Sequence, residues 1–163
     1  MNIGYDEIRD FIAREGYLLD AGRLEDWLDL YAQDATYWVP AWDDDSDQQT
    51  QDPQKEISLI YYSNRDGLAD RVFRIRTGKS AASNPLFRTT HISGNIVVEK
   101  SDENQCTVSC AWIAHSYRQE KMLTYFGNAQ YKLCRIGDAL KISYKKTTLK
   151  NDRIDQVLDV YQI

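Results

Sequence analysis

Two histidines are the residues of this chain best suited to proton transfer or metal binding, because imidazole titrates near neutral pH and is a common metal ligand. They are His91 and His115, and the 163-residue sequence contains no others. A mononuclear non-haem iron site takes two histidines and one carboxylate, which these residues and an aspartate would supply if folding brought them together. With Asp34 and Tyr37 they would instead form an acid–base pocket of a dehydratase or isomerase. Their spacing forms no local motif, so the choice between these alternatives depends on where the helices and strands place the side chains.

The three cysteines do not complete a redox site. A Rieske 2Fe-2S cluster takes two cysteines and two histidines in paired short spacings, and no cysteine here forms such a pair with a histidine. Cys106 and Cys110 would lie about 13 Å apart on one strand, beyond the reach of a disulfide. We therefore expect Cys106, Cys110 and Cys134 to be reduced and to pack as small apolar side chains. We expect no metal or cofactor site on this chain.

An acidic segment, residues 43–52, has aspartates at positions 43, 44, 45 and 47. It lacks the fixed spacing and the bidentate glutamate of a calcium-binding loop. Its composition excludes a packed core, so we expect this segment to be exposed to solvent or covered by another chain. The sequence contains neither a glycine-rich phosphate loop nor a GxSxG nucleophile motif.

Charge and composition restrict the classes of partner. The net charge of −5 argues against nucleic-acid binding, which depends on basic patches that neutralise phosphates. No apolar run approaches the roughly 18–20 residues needed to cross a membrane. The first ten residues, MNIGYDEIRD, lack the basic-then-apolar order of a signal peptide. We expect a cytoplasmic protein with no membrane contact, in which residues 1–163 form a single domain.

Helical periodicity marks the first part of the chain. Two apolar stripes predict two N-terminal helices, one through Ile8, Phe11, Ile12 and Leu19 and one through Leu24, Trp27, Leu28 and Tyr31. Short strands are expected at residues 35–39 and 57–62. A third helix begins near the capping residues 63–66, buries Leu68, Val72 and Ile75, and ends at Gly78.

Alternation of period two dominates the remainder and predicts strands at residues 89–100, 105–117, 124–135 and 140–149. Helices followed by a run of strands indicate an α+β fold, with helices on one face of a curved antiparallel sheet. The tail fits either a helix or a strand end. The residues expected to face the helices are Ile92, Ile96, Val98, Val108, Cys110 and Trp112. This parity predicts that both histidines point away from the interior.

Several blocks of sequence carry a family resemblance. The longest is residues 59–91, and the others are residues 37–45 (YWVPAWDDD), 52–56 (DPQKE), 116–118 (SYR), 125–127 (YFG) and 149–152 (LKND). In order and density these blocks resemble the small subunits of Rieske-type aromatic-ring-hydroxylating dioxygenases, in the branch that acts on benzoate, toluate and related aromatic carboxylates. The likeness extends over nearly the whole chain.

The resemblance implies a cystatin-like cone, as in nuclear transport factor 2, and the role of a structural small subunit. The complex would add O₂ to an aromatic carboxylate such as benzoate to give a cis-dihydrodiol. The Rieske 2Fe-2S cluster, the mononuclear non-haem iron and the substrate pocket would belong to the large subunit, and a reductase would supply electrons from NADH. Three large and three small chains would form a hexamer, with the small chains as a trimer. The alternative remains a stand-alone dehydratase or isomerase that uses Asp34, Tyr37, His91 and His115.

Aromatic and arginine side chains near loops are candidates for subunit contacts, because both types are enriched in protein interfaces. The arginines of the third helix also fit a solvated face with local pairs such as Asp70 and Arg74. A second candidate contact is the sheet face opposite the helices. This face carries apolar residues, which are not expected on a sheet face exposed only to water. The residues that we expect at subunit contacts are Trp38, Trp42, Tyr61, Tyr62, Arg65, Arg71, Arg74, Arg76, His91, Asn95, Ile113 and His115.

Overall fold

The computed structural model describes residues 2–43, 45–79 and 84–163. Three helices are α1 (Tyr5–Asp20), α2 (Leu24–Leu28) and α3 (Arg65–Thr77). Eight strands are β1 (Tyr31–Pro40), β2 (Trp42–Asp43), β3 (Gln48–Gln49), β4 (Ser58–Tyr62), β5 (Arg88–Ser101), β6 (Gln105–Arg118), β7 (Lys121–Ile136) and β8 (Ala139–Leu149). A 3-10 turn, Val160–Gln162, ends the chain. Every predicted helix and long strand is present, although α2 ends before Tyr31, which opens β1 instead.

Six strands form one sheet in the order β4-β1-β8-β7-β6-β5. Strands β5 to β8 make the expected antiparallel meander. The expectation of a wholly antiparallel sheet is wrong, because β1 pairs with β8 in parallel. A parallel pair needs a long crossover, and nearly one hundred residues separate these two strands. The sheet is therefore mixed.

The helices pack on one face of the sheet, which we call the inner face, and the opposite face is the outer face. From β6, the residues Val108, Cys110, Trp112 and Ala114 alternate into the core as the sequence predicts. Helix α3 also begins and ends as predicted: Asn64 Oδ1 accepts a hydrogen bond from the Asp66 amide at 2.9 Å, and Gly78 adopts a left-handed conformation. Its three predicted apolar residues are buried.

A β-bulge in β5 reverses which residues face inward. Gly94 pairs with Ala111 and Val97 with Ser109, so two residues of β5 lie opposite one residue of β6. Within this bulge Asn95 has a positive φ of 51°. Inward-facing residues are odd-numbered before the bulge and even-numbered from Ile96 to Val98, where a second irregularity follows.

The predicted parity of β5 is therefore wrong before the bulge and right after it. His91 lies opposite the buried Ala114 and faces inward, whereas Ile92 is 58% exposed on the outer face. Ile96 and Val98 pack against the core as predicted. His115 pairs with Thr124 on the outer face, also as predicted.

Gly127 marks a close approach between β7 and β8. A Cβ atom at this position would overlap the backbone oxygen of Thr148, and Gly127 pairs with Leu149 in the ladder. We expect Gly127→Ala to lower the free energy of unfolding by about 1–3 kcal/mol, because the clash is with backbone that cannot rotate away. Urea denaturation followed by circular dichroism measures this change. Gly94→Ala is the matched control, since nothing lies within 4 Å of a Cβ there, and equal losses in both variants would contradict the steric explanation.

The tail, which the sequence left undecided, forms a buried turn rather than a longer helix or strand. Residues 158–163 are all buried. Asp159 Oδ1 accepts a hydrogen bond from the Val160 amide at 2.8 Å, and Gln162 Oε1 accepts one from the Asp159 amide at 2.9 Å. This reciprocal capping closes the turn at the buried C-terminal segment. Among the described helices, none combines the length and the apolar character needed to cross a membrane.

Candidate functional site

The interior between α1 and the sheet contains a buried carboxylate. Glu15 of α1 is 2% exposed, and its Oε1 accepts hydrogen bonds from Lys145 Nζ at 2.8 Å and from the Tyr31 hydroxyl at 2.7 Å. Its Oε2 accepts one from the Tyr131 hydroxyl at 2.6 Å, and Trp27 Nε1 donates to Oε1 at 3.3 Å. Both ions of this pair are thus removed from water and are stabilised by hydrogen bonds and by each other.

The pKa values of the cluster follow from this arrangement. Burial acts to raise the pKa of Glu15, but the charge of Lys145 and the hydrogen bonds from Lys145, Tyr131 and Tyr31 lower that pKa below its usual value. Burial, together with the nearby Glu15 charge, raises the pKa of the Tyr31, Tyr37 and Tyr131 phenols well above 10. Glu15 is therefore an ionised partner of Lys145, and the phenols stay protonated, with Tyr31 and Tyr131 as its donors.

A second pair lies beside the first. His91 Nδ1 is 2.5 Å from Asp20 Oδ1, and Asp20 also accepts hydrogen bonds from the His91 amide at 2.9 Å and from the Thr89 hydroxyl at 3.0 Å. Helix α1 passes so close to β5 here that a Cβ atom at Gly16 would lie 3.1 Å from His91 Cβ. The carboxylate of Asp20 thus fixes the imidazole ring at the junction of α1 and β5.

The interior cavity between these two pairs is small. Its volume is about 20 Å³, and it is lined by Ile12, Glu15, Gly16, Leu19, His91, Ser93, Trp112, Ala129, Tyr131, Lys145, Thr147 and Ile163. A single water requires roughly 10–15 Å³ measured in this way, so an aromatic acid does not fit. The C-terminal segment contributes to this closure, because Ile163 forms part of the wall.

The four residues of the predicted acid–base pocket do not meet. Tyr37 is fully buried and His91 faces the interior, but Asp34 is exposed and His115 lies on the outer face. The same separation of the two histidines prevents them from sharing an iron ion. In residues 2–43, 45–79 and 84–163, no group of three histidine, cysteine or acidic side chains is placed to hold a metal ion. The described residues therefore do not fit either iron group that the resemblance implies for the complex.

The cysteines and the acidic segment behave as ordinary structural features. Cys106 and Cys110 are buried thiols, and burial raises the pKa of each to about 11, which disfavours the reactive thiolate. Cys134 is a half-buried thiol. The acidic segment includes the short ribbon β2–β3 and the buried Thr50, so it is more ordered than predicted. Asp44 of this segment lies outside the described residues.

Three of the four predicted interface arginines contact their own chain. Arg65 pairs with Asp29 at 2.7 Å, and Arg76 binds Glu25 through two hydrogen bonds of 2.8 and 2.7 Å. The third, Arg71, donates to the Tyr62 hydroxyl at 3.2 Å and lies 3.8 Å from the buried Asp159. These contacts join α3 to α2, β4 and the tail.

Arg74 is exposed, and it does not pair with Asp70 as expected from their spacing. Among the described residues, neither member of that pair forms an ion pair. Contacts of the four arginines with another subunit remain a prediction.

The predicted interface aromatics also have intramolecular partners. Trp38 is 6% exposed, donates to Ser58 Oγ at 2.9 Å and lies under Lys146. Trp42 donates to the Leu149 carbonyl at 3.0 Å. Tyr61 pairs with Trp38 on the neighbouring strand, and Tyr62 accepts from Arg71. Packing within the chain thus accounts for part of the aromatic content near these loops. A role of these residues at a subunit contact remains a prediction.

An apolar row crosses the outer face at the β5 edge of the sheet. Ile92 pairs with Ile113, and Ile113 pairs with Phe126, so the three side chains lie side by side. Tyr117 and Met122 pair beyond them, at 38% and 60% exposed. His91, which was predicted on this face, is absent from it because of the bulge. We call these five residues, Ile92, Ile113, Tyr117, Met122 and Phe126, the outer patch.

Sequence reasoning missed the buried Glu15–Lys145 pair. One signal was available: Glu15 stands in the apolar stripe of α1, between Ile12 and Leu19, where a solvated glutamate is not expected. Its partner Lys145 follows from the register of β7 and β8, in which it lies opposite Tyr131 on the inner face.

Comparisons with known proteins find similar sequences and structures along almost the whole chain. Residues 14–156 match the family described as "Ring hydroxylating beta subunit". The chain is 45% identical over 163 residues to the toluate 1,2-dioxygenase subunit beta of Pseudomonas putida, and the match covers 100% of both. It is also similar to the crystal structure of the benzoate 1,2-dioxygenase beta subunit of Burkholderia mallei, with 42% identity, a TM-score of 0.82 and coverage of 99% of this chain and 98% of the other.

A more distant structure identifies the fold class. An NTF2-like protein with a cystatin-like fold from Novosphingobium aromaticivorans aligns with a TM-score of 0.62 at 17% identity, over 91% of this chain and 82% of the other. At that identity the likeness concerns the fold alone. The predicted α+β, cystatin-like architecture is confirmed, with helices packed on a curved mixed sheet.

Proposed function

The chain belongs to the ring-hydroxylating beta-subunit family, and on that premise we propose that it is the small, structural subunit of a dioxygenase acting on an aromatic carboxylate. Benzoate or a toluate is the substrate class that the similar proteins indicate. In the proposed reaction the complex adds O₂ across two ring carbons and yields a cis-dihydrodiol. This chain supports that reaction without contacting the substrate.

The small volume of the interior cavity is the observation that carries the structural assignment. A cavity of about 20 Å³ has no space for a benzoate ring, and Glu15 and Lys145 in its wall are already paired with each other. A stand-alone dehydratase or isomerase needs a pocket that admits its substrate beside a free acid or base. The dispersal of Asp34, Tyr37, His91 and His115 also argues against that alternative.

The cofactors of the proposed complex belong to other chains. We propose that the large subunit holds the Rieske 2Fe-2S cluster and the mononuclear non-haem iron, and that a reductase supplies electrons from NADH. Support comes from the geometry of this chain, in which the two histidines lie on opposite faces of the sheet. No step of the oxygen chemistry is therefore assigned to its residues.

The assembly that we propose is a hexamer of three large and three small subunits, with the small subunits as a trimer. Residues 1–163 act in it as one domain, which is consistent with the buried apolar residues forming one core. The outer patch supports a contact between small subunits, because a sheet face left to water carries few side chains like Ile113 and Phe126. A threefold ring closes by head-to-tail contacts, each joining two different surfaces.

Reconstitution tests the proposed function. The purified chain alone is expected to contain no stoichiometric iron and to leave benzoate unchanged in the presence of NADH and O₂. Co-expression with a large subunit of the family, followed by addition of the reductase, is expected to give iron, visible absorption and the cis-dihydrodiol. Metal analysis and product chromatography measure these outcomes. The large subunit prepared without this chain is the matched control.

Two results would refute the proposal. One is turnover or about one equivalent of iron in the chain alone. The other is full, stable activity of the large subunit whether or not this chain is present.

A further inference from the structure

Two polar atoms at the interior cavity lack partners. His91 Nε2 and Thr147 Oγ1 are both buried, and neither forms a hydrogen bond with any residue that the structure describes. The side chain of His91 is 9% exposed and Thr147 is 1% exposed, and both residues line the cavity. Because Asp20 holds the other ring nitrogen of His91, the ring cannot turn to find a partner elsewhere without losing that contact. Buried polar atoms of this kind are rare unless a bound molecule satisfies them.

The charges around the cavity limit what that molecule is. Glu15 and Lys145, which line the cavity, are paired with each other, so an entering ion would lose its hydration without gaining a free counter-charge. A hydroxyl group is suited to both unpaired atoms, because it donates one hydrogen bond and accepts others, as the threonine hydroxyl does. The remaining wall is apolar and includes Ile12, Leu19 and Trp112.

We propose that the interior cavity is a binding site for one small neutral hydroxyl compound, bridged between His91 Nε2 and Thr147 Oγ1. In the native chain this compound is a water molecule, since about 20 Å³ admits one water and no larger ligand. The side chain of Ile163 sets that upper size, because it closes the wall from the C-terminal segment. This site does not depend on the proposed function of the chain.

A surface groove shares part of its wall with the cavity. A groove of about 270 Å³ between α1 and β5 is lined in part by Ile12, Gly16, His91 and Ser93, which also line the cavity. These four residues separate the groove from the interior. A small molecule therefore reaches the site by local separation of α1 from β5, without unfolding of the sheet.

The first test detects the water directly. A crystal structure of the chain at high resolution is expected to contain one ordered water within hydrogen-bond distance of His91 Nε2 and Thr147 Oγ1. In a Thr147→Val structure, which preserves the shape of the side chain, this water is expected to be lost or displaced. A dry cavity in the unmodified chain, or a water that does not contact these two atoms, would overturn the proposal.

The second test enlarges the site. Ile163→Ala is expected to bind phenol, which carries a hydroxyl on an apolar ring, and phenol should raise its melting temperature by several degrees while leaving the unmodified chain unaffected. Benzene at the same concentration should give a smaller shift. Leu158→Ala is the matched control, because Leu158 is buried in the same segment but does not line the cavity. In the double variant Ile163→Ala/Thr147→Val, the advantage of phenol over benzene should disappear.

Three outcomes of the second test would also overturn the proposal: no phenol effect in a folded Ile163→Ala variant, an equal effect in Leu158→Ala, or an unchanged phenol advantage after Thr147→Val. Far-UV circular dichroism establishes whether each variant is folded. If Ile163→Ala does not fold, the structure of the unmodified chain decides the question alone.

Discussion

Replacing Lys145 with methionine is expected to lower the free energy of unfolding by about 3–5 kcal/mol at pH 7, the usual cost of leaving one ion of a buried pair without its partner. The side chains of Lys145 and Glu15 are 6% and 3% exposed, so bulk solvent does not reach the carboxylate when the ammonium group is removed. Methionine keeps an unbranched side chain and removes only the charge and its hydrogen bond. Urea denaturation at pH 7, followed by circular dichroism, measures the loss.

Two controls separate the charge from the packing. Glu15→Gln/Lys145→Met removes both ions and should recover part of the loss, because no uncompensated charge remains. Lys146→Met changes the next residue along β8, which lies on the outer face over Trp38. It should cost about 0.5–2 kcal/mol, the usual range for a cation–π contact between partly exposed and desolvated sites. Similar losses at positions 145 and 146 would refute the importance of the buried pair.

The pH dependence provides a further check on the Lys145→Met variant. In the native chain the folded pKa of Glu15 is lowered, so its contribution to stability is present above the ordinary glutamate pKa of about 4.3 and is lost as the pH falls through the folded pKa. Without Lys145, burial raises that pKa and protonation of Glu15 relieves the unpaired charge. The stability difference between the native chain and the variant should therefore narrow as the pH falls from 7 toward 4. A difference that stays constant would show that the carboxylate is not responsible.

Replacing Ile113 with aspartate is expected to dissociate the proposed trimer of small subunits while the monomer remains folded. Ile113 is the centre of the row that it forms with Ile92 and Phe126 on the outer face. A carboxylate there would be buried in the contact without a partner, and central interface positions commonly cost about 2 kcal/mol or more when altered. Sedimentation velocity at micromolar concentration distinguishes trimer from monomer, and thermal unfolding reports on the fold.

The matched control for this change is Ile57→Asp. Ile57 is 80% exposed beside β4, at the opposite edge of the sheet from the outer patch. The Ile57→Asp substitution introduces the same charge at an exposed apolar position and should leave the trimer intact. The proposal fails if the native chain sediments as a monomer, or if Ile113→Asp remains trimeric.

The sequence predicted the fold well where the alternation of apolar and polar residues continued without interruption. Strand β6 alternates over its full length, so the inward positions of Val108, Cys110 and Trp112 were correct. The prediction failed in β5, where one extra residue near Asn95 exchanged the two faces of the strand. Gly94 and Asn95 are residues typical of a bulge, but whether a bulge forms is decided by the neighbouring strand.

Side-chain partners were harder to predict than elements. The position of Glu15 within an apolar stripe indicates a buried carboxylate, but its partner Lys145 lies on the last strand and is fixed by sheet register. The placement of β8 beside β1, in parallel, is equally non-local. For the arginines, local spacing favoured an Asp70–Arg74 pair, whereas the structure directs Arg71 and Arg76 to other elements. Contacts over such distances along the chain leave no local pattern in a single sequence.

The parallel pairing of β1 with β8 has a consequence for the order in which the chain folds during synthesis. Strand β1 leaves the ribosome early, but one of its two neighbours is the last strand to be made. The Trp42 indole likewise cannot form its hydrogen bond until the Leu149 carbonyl, 107 positions later, has been made. Until β8 emerges, the apolar side chains of β1 and the Glu15 carboxylate lack their final neighbours, and one edge of β1 is open to other chains. The pairing of β1 is therefore completed only after β8 has been made.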